Sequence, residues 1–175
     1  MASIMKQGLA PFALGLTALG SFVAALSAPV VAQELYRQKI EHDPAKCESG
    51  NGSALLVTIN GVKNSNGMMR VQSYRGVKSD WLKKGKWIYR IEAPATAGSM
   101  TFCMPLPGPG DYGIAVRHDT NGNGKTDLSV DGGAMSNNPY IGLFNLGKPS
   151  YKKTRVTVGD AVTPISINMK YRKKD

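Results

Sequence analysis

Hydrophobic residues in this chain recur at every second position in short runs separated by glycine, proline and asparagine, the mark of half-buried β-strands. Leu55, Val57 and Ile59 share one face of a first predicted strand, and Asn64-Ser65-Asn66-Gly67 turns the chain into a second. There Met69 and Val71 continue the core face, and the strand ends near Tyr74. A basic connection over 76–85 holds Trp81 and Leu82, and Trp87, Tyr89 and Ile91 then alternate inward in a third strand broken by Pro94 and Gly98. Met100, Phe102, Met104 and Leu106 form the inward face of a fourth, which sends Cys103 to the opposite side. Tyr112, Ile114 and Val116 line the fifth, and His118 continues their face to the rim of the core. Residues 131–147 are long and irregular, a length that in compact domains marks functional or disordered loops. Val156 and Val158 mark a sixth strand, and Ile165, Ile167, Met169 and Tyr171 alternate cleanly in the last.

The expected fold is all-β: a single antiparallel β-sandwich, immunoglobulin-like or transthyretin-like, of about seven strands. It occupies residues 53–171, preceded by a polar, aperiodic arm over 33–52 and followed by a basic tail over 172–175. Residues 1–32 read as a cleaved signal peptide. Lys6 precedes an apolar stretch from Leu9 to Leu26, and the small residues Val30 and Ala32 suit cleavage before Gln33. A membrane anchor is the alternative for so long an apolar stretch, although Pro11, Gly15, Gly20 and Pro29 dilute it. The expected location is therefore outside the cytoplasm, periplasmic or secreted.

Two cysteines, Cys47 and Cys103, fit an oxidising compartment and allow one intramolecular pairing. Neither has the spacing of a redox or zinc motif. A structural disulfide on an outer face, pinning the arm, follows from the phase of Cys103. Its chain-entropy contribution would be roughly 4 kcal/mol for so long a loop. The formal charge of +10 points to acidic partners. For an exported chain these are anionic envelope polymers, lipid headgroups or glycans rather than nucleic acid.

The stretch His118-Asp119-Thr120-Asn121-Gly122-Asn123-Gly124-Lys125-Thr126-Asp127 carries the most specific chemistry. Asp119, Asn121 and Asn123 fall at positions 1, 3 and 5 of a calcium loop, Gly124 at 6, the Lys125 carbonyl at 7 and Asp127 at 9. Position 12, where a bidentate glutamate would sit, is Val130, so this is no helix–loop–helix site. With so few charges, calcium would bind weakly, on the order of 0.1–1 mM. The same residues also spell a metal-free Asn-Gly turn. Asp131, Asn137 and Asn138 are candidates to support the loop, as is His118. His118 beside Asp119 also has the composition of an acid–base pair, but no nucleophile motif accompanies it, and a non-enzymatic module is the expectation. Between Arg70 and Glu92, basic residues interleave with Tyr74, Trp81, Trp87 and Tyr89. Arg75, Lys78, Trp81, Lys83 and Lys84 are the candidates there for gripping an anionic polymer or glycan.

The run Gly110-Asp111-Tyr112-Gly113-Ile114-Ala115-Val116-Arg117-His118-Asp119, the Asn-Gly-Asn-Gly-Lys-Thr-Asp that follows, and the later Ser136-Asn137-Asn138 resemble the bacterial family called domain of unknown function 2141. The resemblance covers Ser53 to Tyr171. His118, Asp119, Asn121, Asn123, Gly124 and Asp127 match its motif, while Gly113 stands where alanine is usual. Asp131-Gly132-Gly133-Ala134-Met135 replaces a Gly-x-Pro-x-Glu segment. The resemblance implies an exported sandwich-like domain and brings no activity with it.

Overall fold

The computed structural model describes residues 35–172 apart from 128, 143, 144 and 146. The expected leader and the last three residues of the basic tail lie outside these. Ten strands run in chain order: β1 (Gln38–Lys39), β2 (Ala54–Val62), β3 (Met68–Arg75), β4 (Trp87–Pro94), β5 (Gly98–Pro105), β6 (Gly110–Asp119), β7 (Gly132–Met135), β8 (Val156–Val158), β9 (Val162–Asn168) and β10 (Lys170–Tyr171). They form two sheets. The larger has the order β1-β4-β3-β6-β7-β10, with β8 also on β6, and the smaller is β5-β2-β9. The β-sandwich is as expected, but its sheets are mixed, because β1 runs parallel to β4 and β9 parallel to β2. No helix among the described residues is long and apolar enough to cross a membrane.

Alternation places the core where periodicity predicts. Leu55, Val57 and Ile59 of β2 and Phe102 and Met104 of β5 meet Met69 and Val71 of β3 and Ile114 and Val116 of β6 in one cluster. β4 departs from this. Its register with β3 shifts between Gln72 and Tyr74, so an extra residue reverses the phase. Ile88 and Ile91 enter the core, while Trp87 joins Tyr74 and Trp81 in a second cluster on the outer face of the larger sheet. Trp87 is thus buried, as expected, but on the other side. Gly113 fits the same cluster: a Cβ there would lie 2.5 Å from Trp81 Cζ3. The indole fills the room that an alanine methyl would need.

The disulfide Cys47–Cys103 forms. Cys103 faces away from the core cluster, as its phase predicts, yet is buried, because the turn Pro44–Cys47 packs over β5. The arm is more structured than its composition suggests. Arg37 N–H donates to the Trp87 carbonyl (2.8 Å) and Ile40 N–H to the Arg90 carbonyl (3.0 Å), adding β1 to the β4 edge. Tyr36 Oη donates to the buried Asp80 carboxylate (2.6 Å). Polar strands of two residues carry too little alternation to be read from sequence.

The last predicted strand is two. β9 lies in the smaller sheet and β10 in the larger, with Met169 between them in the core. Ser136-Asn137-Asn138 secures this crossing. The Ser136 hydroxyl donates to the Thr154 carbonyl and accepts from Ile114 N–H. Asn138 donates to the Ser166 carbonyl (2.9 Å) and accepts from Asn168 N–H (2.7 Å) along β9, and Asn137 donates to the Arg155 carbonyl (2.8 Å). Both asparagines have positive φ, a region this residue tolerates better than most.

Candidate functional site

The loop after β6 is assembled around Arg117. Its guanidinium donates to Asp119 Oδ2 (3.0 Å), the Gly124 carbonyl (3.1 Å) and Thr126 Oγ1 (2.9 Å), bridging both ends of the turn. Gly124 N–H also donates to Asp119 Oδ2 (2.9 Å). Asp131 accepts from Thr120 N–H (3.1 Å) and Asp127 N–H (2.9 Å). Asn121 and Asn123 donate their amide hydrogens to Asp127 Oδ2 (3.0 and 2.7 Å), and their Oδ1 atoms accept from the N–H groups of Asn123 and Lys125. Those amide bonds hold the Asp127 carboxyl below its usual range. Lys125 is exposed. Burial lowers the Arg117 guanidinium from its usual value, and Arg70 lowers it further, while Asp119 and Asp131 act in the opposite direction. Asp119 Oδ1 and Arg117 Nε are buried without hydrogen-bond partners. No three His, Cys, Asp or Glu side chains converge as a metal cluster among the described residues. A cation here would therefore draw on Asn oxygens and backbone carbonyls besides Asp119 and Asp127.

Two expected supports go elsewhere. Asn137 and Asn138 bond Arg155, Ser166 and Asn168 rather than this loop. A turn rich in asparagine shows its capacity for hydrogen bonds in sequence but not its partners. His118 is fully buried, with Nε2 2.7 Å from the Asn66 carbonyl and Nδ1 2.7 Å from Tyr171 Oη. A carbonyl only accepts, so Nε2 carries the proton and Nδ1 accepts from the tyrosine. Lys63 N–H completes the chain by donating to Tyr171 Oη (3.1 Å). Both ring nitrogens hold the loop's base to β10 and to the turn before β3. This geometry leaves neither free for acid–base exchange with a bound molecule.

The expected polymer-binding residues separate. Trp81 is buried, and its Nε1–H donates to the Pro149 carbonyl (2.9 Å), so it offers no free ring to a ligand. Arg75 at the end of β3 and Lys78 and Lys83 in the connection are exposed. Lys84 alone of that set lines a groove of about 670 Å³ with Arg37, Lys39, Gly85, Trp87 and Arg90. Its lining contains four cations and no acid. Arg90 lies over the Trp87 ring (4.1 Å), and beside it Lys86 lies over Tyr36 (4.6 Å). Each aromatic face thus already carries a cation. Glu92 is the nearby counter-charge, 3.3 Å from Lys39, 2.5 Å from Arg70 and 4.0 Å from Arg90. Burial pushes the Glu92 carboxyl up, but the hydrogen bond and charge of Arg70, with those of Lys39, outweigh it and hold the group low. Arg37 has φ +66°, a costly conformation for a residue other than glycine, held by its bond to Trp87. Arg37 and Lys39 come from an arm with no visible periodicity, and Arg90 reaches the groove through the β4 bulge. Neither signal is present in the local sequence.

A family described as an uncharacterized protein conserved in bacteria, domain of unknown function 2141, matches residues 57–166, and the chain belongs to it. No curated protein and no solved structure matches significantly.

Proposed function

We propose that this chain is an exported, non-enzymatic β-sandwich module that binds anionic envelope polymers through the groove of Arg37, Lys39, Lys84 and Arg90. The carrying observation is the groove lining: four cations without a carboxylate among them, set by two strands and a connection. Outward cations held at fixed positions raise the local concentration of anions, and the one nearby carboxylate, Glu92, is shared between Lys39 and Arg90, leaving an excess of positive charge. The occupied aromatic faces favour charged groups over neutral sugar rings. Export is supported by the leader pattern and by the disulfide, a bond that persists in oxidising compartments. Co-sedimentation with isolated cell envelopes across a salt series tests the reading. Binding falls as salt rises, and it falls at every salt concentration in Lys39→Glu/Lys84→Glu. Binding that ignores both salt and the charge reversal rejects it.

A second reading gives the 119–127 loop a weakly held calcium ion. Asp119 Oδ1, buried and without a partner, favours it. Calcium would have to share Asp119 with the Arg117 guanidinium, which keeps affinity low. A rise in melting temperature at millimolar calcium, reversed by chelator, supports this reading, and an unchanged melting curve removes it.

A further inference from the structure

The groove is one end of a longer charged lane. Its neighbour across β1 and β4 is set by register: Lys39 lies beside Arg90, and Arg90 beside Gln72 of β3. One row along, Glu92 of β4 faces Arg70 of β3, Arg70 faces Arg117 of β6, Arg117 faces Gly133 of β7, and Gly133 faces Lys170 of β10. Directly paired residues share a sheet face, so all of these belong to the outer surface. Gly133 carries no side chain, and a Cβ there would meet nothing closer than the Val116 carbonyl at 3.9 Å. The lane is therefore low between Arg117 and Lys170. The Trp81 cluster rises on the same face where Tyr74 and Trp87 lie, and the 119–127 loop lies at the Asp119 end of β6.

Charge along the lane is unbalanced. Lys39, Arg70 and Arg90 share Glu92, and Lys170 is exposed and forms no ion pair among the described residues. Arg117 is closed into its loop and contributes field rather than contact. From β1 to β10 the path crosses six strands, or roughly 24 Å at a strand spacing of about 4.8 Å.

We infer that the outer face of the larger sheet binds a linear acidic polysaccharide laid across the strands, from the Arg37–Lys84 groove past Arg70 to Lys170. This rests on the groove reading above and extends it from an anion site to a polymer track. The class is carboxylate-bearing because guanidinium groups form strong charge-assisted hydrogen bonds with carboxylates, and two arginines on this face already each hold one through a single contact, Arg70 with Glu92 and Arg117 with Asp119.

Size-fractionated oligouronates test it by titration at fixed low salt. Affinity rises with oligomer length until the lane is spanned, then levels off. Lys170→Glu weakens long oligomers several-fold and leaves the shortest unchanged, whereas Lys84→Glu weakens both. Lys170→Gln gives an intermediate loss, separating charge from shape. If short oligomers bind with Lys84 dependence but length and Lys170 make no difference, the groove reading stands and the track is wrong. If no oligouronate binds at any length, the groove reading and the track fail together. Tighter binding by length-matched polyphosphate overturns the assignment to a carboxylate polymer.

Discussion

The 119–127 loop and the β1–β4 groove are both crowded with polar side chains, yet they handle charge in opposite ways. In the loop every charge but the exposed Lys125 has an internal partner: Arg117 with Asp119, Asp131 with two backbone N–H groups, and Asp127 with Asn121 and Asn123. In the groove, cations outnumber the one nearby carboxylate, Glu92. Internal partners build a fold, while an excess of one sign invites a ligand. Substitutions in the loop should therefore change stability and spare binding, and those in the groove should do the reverse.

The largest effect is expected where the loop is seated. Gly67 has φ +69°, and a Cβ there would lie 1.9 Å from the Asp119 carbonyl oxygen. Gly67→Ala should cost about 3–4 kcal/mol, combining overpacking with left-handed strain, as measured by urea unfolding. Next comes Arg117→Met, which strands the buried Asp119 carboxylate and should cost about 3 kcal/mol. Replacing both partners, as Arg117→Met/Asp119→Leu, should recover part of that loss, because no uncompensated buried charge remains. A double variant as unstable as the single one would place the loss in the guanidinium's bonds to Gly124 and Thr126 instead.

Between the two regions lies the Trp81 cluster. Gly113→Ala should cost about 1–3 kcal/mol by pressing on the indole, and Trp81→Phe should relieve much of the penalty in a double-mutant cycle. Additive effects would show that the methyl finds room without the indole moving.

Acid sharpens the contrast further. Glu92 and Asp127 both have folded-state values below those of free carboxylates. Their contribution to stability is complete above the unfolded-state values near pH 4 and is lost as pH falls through the lower folded-state values. Glu92→Gln and Asp127→Asn should each flatten the acid limb of the stability curve slightly, with no change near neutrality in its slope. A steepening would reverse the sign of these interactions.

What could be read from sequence follows from the range of each signal. Period-two alternation located the faces of β2, β3, β5 and β6, because one core face repeats every other residue. It misplaced Trp87, since a single bulge residue reverses the phase of β4 and leaves no local mark. The calcium-like spacing of Asp119, Asn121, Asn123 and Asp127 was visible because all four fall within nine residues of chain. That Arg117 sits among the loop's oxygens was not, since a guanidinium two residues earlier in a strand reads as an outward surface charge. The family motif likewise pointed to Ser136-Asn137-Asn138, but the partners of those asparagines lie on β9 and before β8. The groove joins the arm to β4 across roughly fifty residues of chain, and no local pattern spans such a gap.

The most direct test compares Arg37→Gly/Lys84→Ser with the parent chain by titration with an acidic polysaccharide at low salt, with unfolding measured alongside. Glycine accepts the positive φ of residue 37, and both side chains are exposed, so stability should change by no more than ~0.5 kcal/mol. Affinity should fall roughly tenfold or more, at about 1 kcal/mol for each surface cation removed. An affinity equal to the parent's in a variant that remains folded would contradict the groove as the binding site.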